Sequence, residues 1–123
     1  MIKKSYKGRG AFTTWVDGFL DDYIDGGTKI EGDNHILTCH PEWEAATFSS
    51  WKHNAMEAIK KISCPITLLQ GEFGSTTQEP GIKLLKEQDP NGTFKVINNS
   101  SHFLPMEHPE IIQKEIIKIK SRV

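Results

Sequence analysis

The stretch Ile97–Glu110, INNSSHFLPMEHPE, sets one histidine between a polar lead and an apolar run. His102 follows Asn98, Asn99, Ser100 and Ser101 and precedes Phe103-Leu104-Pro105-Met106. Imidazole titrates near neutrality, so a histidine held at a loop tip can take up a proton and return it. That is the chemistry of a general base. The other histidines read differently. His108 stands just before Pro109 at a helix start, as a surface or capping residue. His35, His40 and His53 show no paired spacing on one face, which argues against a metal site. Cys39 and Cys64 stand far apart with no Cys-x-x-Cys spacing and read as reduced, structural thiols.

The elements that must position His102 follow from periodicity. Trp15, Phe19 and Tyr23 recur every four residues, with Val16, Leu20 and Ile24 alongside, which predicts a helix ended by Gly26-Gly27. Thr28 to Cys39 carries the turn Gly32-Asp33-Asn34 between short apolar pieces, a small hairpin. Pro41 followed by Glu42 suits a helix start, and the helix to Trp51 would turn Trp43, Ala46 and Phe48 inward. A short helix is expected over Ala55 to Lys61. After Cys64-Pro65, Ile66-Thr67-Leu68-Leu69 is nearly continuous in apolar residues, as in a strand covered on both faces. A helix over Gly81–Glu87, the turn Pro90-Asn91-Gly92 and a strand over Phe94–Ile97 follow. The last helix runs from Glu110 to Lys120 with Ile112, Ile116 and Ile119 on one side. Strand, crossover helix and strand predict two parallel strands and an α/β fold. Two short parallel strands make a poor sheet by themselves, so an edge should seek another strand.

The 123 residues are 37% hydrophobic and 25% charged, with a formal net charge of -1. That is the length of one domain with a single core. Nothing in the charge balance attracts nucleic acid or acidic membranes, and no apolar run is long enough for a membrane span. The opening MIKKSYKGRG lacks the apolar core of a signal peptide, so the expected location is cytoplasmic. The sequons at Asn91, Asn98 and Asn99 carry meaning only behind a secretory signal.

Several motifs coincide with a known family. CPITLLQGEFGS has a strand running into a Gly-Glu turn, and SSHFLPMEHPE has a loop histidine followed by Phe-Leu-Pro-Met-Glu-x-Pro-Glu and a helix. Together they resemble the C-terminal end of the α/β-hydrolase fold, apart from Ser101 where the family usually has glycine. RGAFTTWVDGFLDDYIDGG and LTCHPEWEAATF resemble the closing part of a helical cap in one subgroup. The resemblance implies residues 1–61 as the end of a cap and 62–123 as the end of the hydrolase core. It implies His102 as the catalytic general base of a serine esterase-like enzyme that needs no cofactor. Trp43, Phe48 and Phe103 are candidates for an apolar acyl pocket, with ordinary core packing as the competing reading.

The rest of that machinery is missing from the sequence. No Gly-x-Ser-x-Gly nucleophile elbow occurs, nor a His-Gly oxyanion loop, and in the family both precede the cap. Gly74 stands where many relatives carry an aspartate, and Glu72 lies close by; neither is assigned as the acid. Ser75 follows a glycine near the carboxyl edge of the sheet but lacks the strained elbow that would expose it as a nucleophile. Two expectations result. One is the C-terminal fragment of an acyl hydrolase, inactive alone, completed by an N-terminal hydrolase segment and acting on a small hydrophobic ester. The other is a non-catalytic module that forms a homo-oligomer through its open edge and apolar helix face.

Overall fold

A computed structural model of the chain describes residues 2–50 and 54–120. Trp51, the expected end of the helix that begins at Pro41, and His53 lie outside the described residues. The chain divides into two compact units, 1–53 and 54–123.

In the first unit, helix α1 (Ile2–Tyr6) and a 3-10 turn (Gly10–Thr13) lead to helix α2 (Phe19–Gly27). The expected helix start at Trp15 is corrected. Gly18 takes φ 101, a conformation closed to a right-handed helix, so α2 begins one residue later. Trp15 instead turns back to pack edge-on against Phe12 and Tyr23, at ring separations of 4.8 and 5.8 Å. Tyr6 joins the same cluster at 5.2 Å from Phe12. Each such pair adds roughly 0.5–1.5 kcal/mol beyond its area burial. Gly26 and Gly27 form the last turn of α2, and Thr28 stops it with its hydroxyl donating to the Ile24 carbonyl at 2.8 Å.

Strands β1 (Thr28–Glu31) and β2 (Asn34–Leu37) form the expected antiparallel hairpin. Gly32, at φ 60, takes the first place in the two-residue turn, where a left-handed residue is needed. Helix α3 (Pro41–Ser49) starts at Pro41 as expected, and the His40 Nδ1 accepts the Glu42 N–H at 3.3 Å. Its inward face is corrected, because none of its residues is buried. Trp43 and Phe48 are five residues apart, about 140° round a helix of 3.6 residues per turn, so they cannot share one narrow stripe.

The second unit opens with helix α4 (Ala55–Ile59), capped by the Asn54 side chain accepting the Glu57 N–H at 3.3 Å. Strand β3 (Thr67–Gly71), helix α5 (Gly81–Gln88) and strand β4 (Thr93–Ile97) then follow. β3 and β4 are parallel, in register from Thr67 opposite Thr93 to Gly71 opposite Ile97. Asp89 joins helix to sheet: its carboxylate accepts the Ile66 N–H at 2.7 Å and the Asn91 N–H at 3.2 Å. The expected burial of this strand on both faces is corrected. Ile66, just ahead of it, and Gly71 are buried, but Thr67 to Gln70 are only half-buried. The cause is the sheet itself, which among the described residues has two strands and leaves both outer edges open.

The described residues close with a single turn, α6 (Leu104–Glu107), and the helix α7 (Pro109–Lys120). On α7, Ile111 and Ile112 are half-buried while Ile116, Ile117 and Ile119 face solvent, so the expected isoleucine stripe is covered only in its first turn. A carboxylate secures the rest. Glu115, nearly buried, accepts from Lys118 on its own helix at 2.7 Å and from Lys95 of β4 at 2.8 Å. Lys118 and then Lys95 hold the Glu115 pKa down to about 2, against an ordinary 4.5.

Two predictions follow from this packing. A Cβ on Gly71 would stand 2.1 Å from the Ser101 carbonyl oxygen, a backbone atom that cannot swing aside. Gly71→Ala should therefore lower stability in urea denaturation by on the order of 3 kcal/mol. For Glu115 the folded pKa lies below the unfolded one, so its contribution to stability is complete above pH 4.5 and is lost as pH falls towards 2. The acid-unfolding curve of Glu115→Gln should be flatter than that of the wild type over that interval.

Candidate functional site

His102 sits on the loop that leaves the carboxyl end of β4, and each step of that loop is tied down. The Ile97 carbonyl accepts from the Glu72 N–H at 3.2 Å and from the Ser100 hydroxyl at 2.7 Å. Asn99 takes φ 55, a left-handed conformation that asparagine tolerates better than most residues. Its N–H donates to the Glu72 carboxylate at 2.8 Å, while its carbonyl lies 3.4 Å from His108 Nε2. The Phe73 N–H donates to the Ser100 carbonyl at 3.0 Å, so the turn after β3 and the loop after β4 hold each other.

Glu107 makes the firmest tie. Its carboxylate is buried and accepts from the Ser101 N–H at 2.6 Å and the Ser101 hydroxyl at 2.8 Å. The same hydroxyl accepts the Phe103 N–H at 3.1 Å. Charge-assisted bonds of this length are roughly twice as strong as neutral ones. They bracket His102 on both sides, so its backbone is fixed while its side chain stays exposed.

The imidazole faces two neighbours. Its Nδ1 lies 3.4 Å from the Thr76 hydroxyl, and its ring meets Phe103 edge-on at 5.6 Å. A cavity of about 200 Å³ lies beside it, lined among others by Leu69, Ser75, Leu104 and Ile112. The cavity stands at the carboxyl ends of the parallel strands, where ligands of open α/β sheets bind.

Ser75 and His102 thus line one cavity, although the Ser75 hydroxyl is engaged as acceptor of the Thr77 N–H at 3.3 Å. Gly74 takes φ 60, a conformation glycine adopts without strain, and Glu72 is committed to the Asn99 N–H. Neither residue brings a carboxylate to His102.

The remaining candidates fall in two places. Phe103 is half-buried beside His102 in the second unit. Trp43 and Phe48 belong to the first unit, where both are about three-quarters exposed, at 74% and 75%. They line an open groove of about 620 Å³ with Tyr23, Leu37 and Thr38, so neither is a core residue. His108, expected as a surface or capping residue, is half-buried and lies 3.5 Å from the Glu110 carboxylate. Both cysteines are exposed thiols.

Two residues of the site carry little signal in the sequence. Glu107 lay inside the quoted motif, and a carboxylate beyond Pro105 in a single helical turn was the signal for a loop anchor. Thr76 gave no signal, since 26 residues separate it from the ring it meets.

Replacing Glu107 by alanine should cost about 1–3 kcal/mol in urea denaturation, because it leaves the Ser101 N–H without its acceptor. Ser101→Ala should cost less, about 1 kcal/mol, since the backbone bond to Glu107 survives.

No protein-family model matches the sequence, and no curated protein matches it. Among solved structures, the crystal structure of E-2-(acetamidomethylene)succinate hydrolase superposes with a TM-score of 0.80 at 14% identity. The match covers 98% of this chain and 44% of that one, so the chain spans less than half the length of the protein it resembles. No helix among the described residues is long and apolar enough to cross a membrane. Parallel strands, helices and superposition together give this chain part of the fold of an α/β-hydrolase.

Proposed function

We propose that this chain is the C-terminal part of an α/β-hydrolase that cleaves carboxylic esters or related acyl compounds, with His102 as its general base. The observation that carries this reading is the position of His102: an exposed imidazole on a clamped loop, beside a cavity at the carboxyl edge of a parallel sheet. Another stretch of polypeptide supplies the serine nucleophile and the oxyanion donors, because the sequence holds no Gly-x-Ser-x-Gly elbow. In that assembly His102 removes the serine proton as the hydroxyl attacks the acyl carbon. It then delivers the proton to the leaving group as the tetrahedral intermediate collapses. Phe103, edge-on to the His102 ring, favours a small or medium hydrophobic acyl group. The likeness to a hydrolase agrees with the reaction class, while at 14% identity that enzyme's substrate is not carried over.

A second reading has its own support. Among the described residues both outer edges of the β3–β4 sheet are open, and Val96, Ile116 and Ile117 are exposed large hydrophobics. A chain with that surface can self-associate as a non-catalytic binding module.

Hydrolysis of p-nitrophenyl butyrate separates the two. The purified chain should be inactive, and co-expression with an α/β-hydrolase N-terminal segment that carries the serine elbow and oxyanion loop should produce turnover. His102→Ala should reduce that turnover by about 10³-fold or more. Undiminished turnover in His102→Ala would overturn the base assignment. A dimer on size exclusion, silent under both conditions, would favour the binding module.

A further inference from the structure

A histidine base works through one ring nitrogen only if something engages the other. In a serine hydrolase the usual partner is a carboxylate, which accepts the Nδ1 proton, sets the tautomer and leaves the Nε2 lone pair for the nucleophile. Among the described residues no carboxylate is hydrogen-bonded or ion-paired to His102. Glu72 is bound to the Asn99 N–H, Glu107 is buried on Ser101, and Gly74 has no side chain to offer.

The group at Nδ1 is the Thr76 hydroxyl, at 3.4 Å. We propose that Thr76 is the positioning residue of this site. Its Oγ1 accepts the Nδ1 proton of His102, fixes the plane of the ring and leaves Nε2 as the basic nitrogen. The inference rests on the reading of His102 as a base, and it names the partner that reading left open.

Three observations support it. Among the described residues Nε2 has no hydrogen-bond partner, so the ring is engaged on one side only. Phe103 stands edge-on to the imidazole and restricts its rotation. The loop backbone is already held by Ser101 and Glu107, so the ring needs only one further contact to be oriented. A separation of 3.4 Å exceeds that of a well-formed bond, as is common where a catalytic contact tightens only with substrate present.

The chemistry has a limit built in. A carboxylate can only accept, so it enforces one tautomer and offsets the charge of the imidazolium. A hydroxyl carries no charge and can donate as well as accept, so it takes the acceptor role only when Nδ1 bears the proton. Thr76 can orient the neutral ring, yet it offers the protonated ring only a dipole. The site is therefore arranged for alignment more than for charge stabilisation.

The experiment is ¹⁵N NMR of the histidine ring nitrogens in the full chain, at a pH where His102 is neutral, with His102→Gln for assignment. In the wild type the proton should sit mainly on Nδ1. Thr76→Val, isosteric and at an exposed position, should move it towards Nε2 and shift both ring resonances, with the amide spectrum elsewhere unchanged. Thr76→Ser should restore the wild-type pattern. A wild-type proton on Nε2, or ring resonances unmoved in Thr76→Val, would overturn the proposal. That readout needs no turnover, so it fails or succeeds independently of the role of His102, which the ester assay with His102→Ala decides.

Discussion

Two oxygens of one buried carboxylate hold the segment on which the site depends. Glu107 binds the Ser101 N–H and hydroxyl, and Ser101 passes the constraint to the Phe103 N–H. A carboxylate taken out of water costs free energy unless it is fully engaged, so its burial is tolerable only while those donors stay in place. The dependence runs both ways. The loop keeps its shape because the carboxylate needs its donors, and the turn α6 keeps its place because Glu107 belongs to it. Gly71 completes the arrangement, since only a residue without a side chain admits the Ser101 carbonyl so close to the end of β3.

Apolar burial is thin in each unit. Ile24 in the first unit, and Ile66 and Leu104 in the second, are the buried hydrophobic residues among those described. Polar anchors therefore carry an unusual share of the organisation. Asp89 joins α5 to the start of β3, Glu115 joins α7 to β4, and Glu107 joins α6 to the histidine loop. Such ties are directional, so they fix geometry well, but they contribute less net stability than the burial of a comparable apolar surface. The exposed Val96 and the isoleucines of α7 are the counterpart of that thin core. A sheet of two strands has too little surface to cover them.

Periodicity made most of the elements legible. The hairpin, the parallel pair and the helix between them announced themselves through turn residues and apolar runs, because those signals are local. Burial was not legible in the same way. Ile66-Thr67-Leu68-Leu69 has the composition of a strand covered on both sides, yet burial depends on what else packs there, and among the described residues β4 is its one neighbour in the sheet. Trp15 continued a helical spacing in sequence, but the conformation of Gly18 broke the helix and sent the ring into the aromatic cluster.

By itself the sequence determined the hairpin, the two parallel strands with the helix between them and the closing helix, the placement of His102 after the second parallel strand, and the absence of a Gly-x-Ser-x-Gly elbow. These are properties of residue type and spacing, which are complete along the chain. The short turns α1 and α6 were not legible in the sequence. Only the tertiary structure decided that Glu107 anchors the histidine loop, that Thr76 is the group at Nδ1, and that Glu72 is turned to Asn99. It also left Trp43 and Phe48 on an open groove. Each of those outcomes depends on where a side chain points after the backbone has closed on itself, and on whether a neighbour distant in sequence arrives to meet it. Linear spacing cannot encode that, because a hydrogen bond responds to tenths of an ångström set by the whole fold.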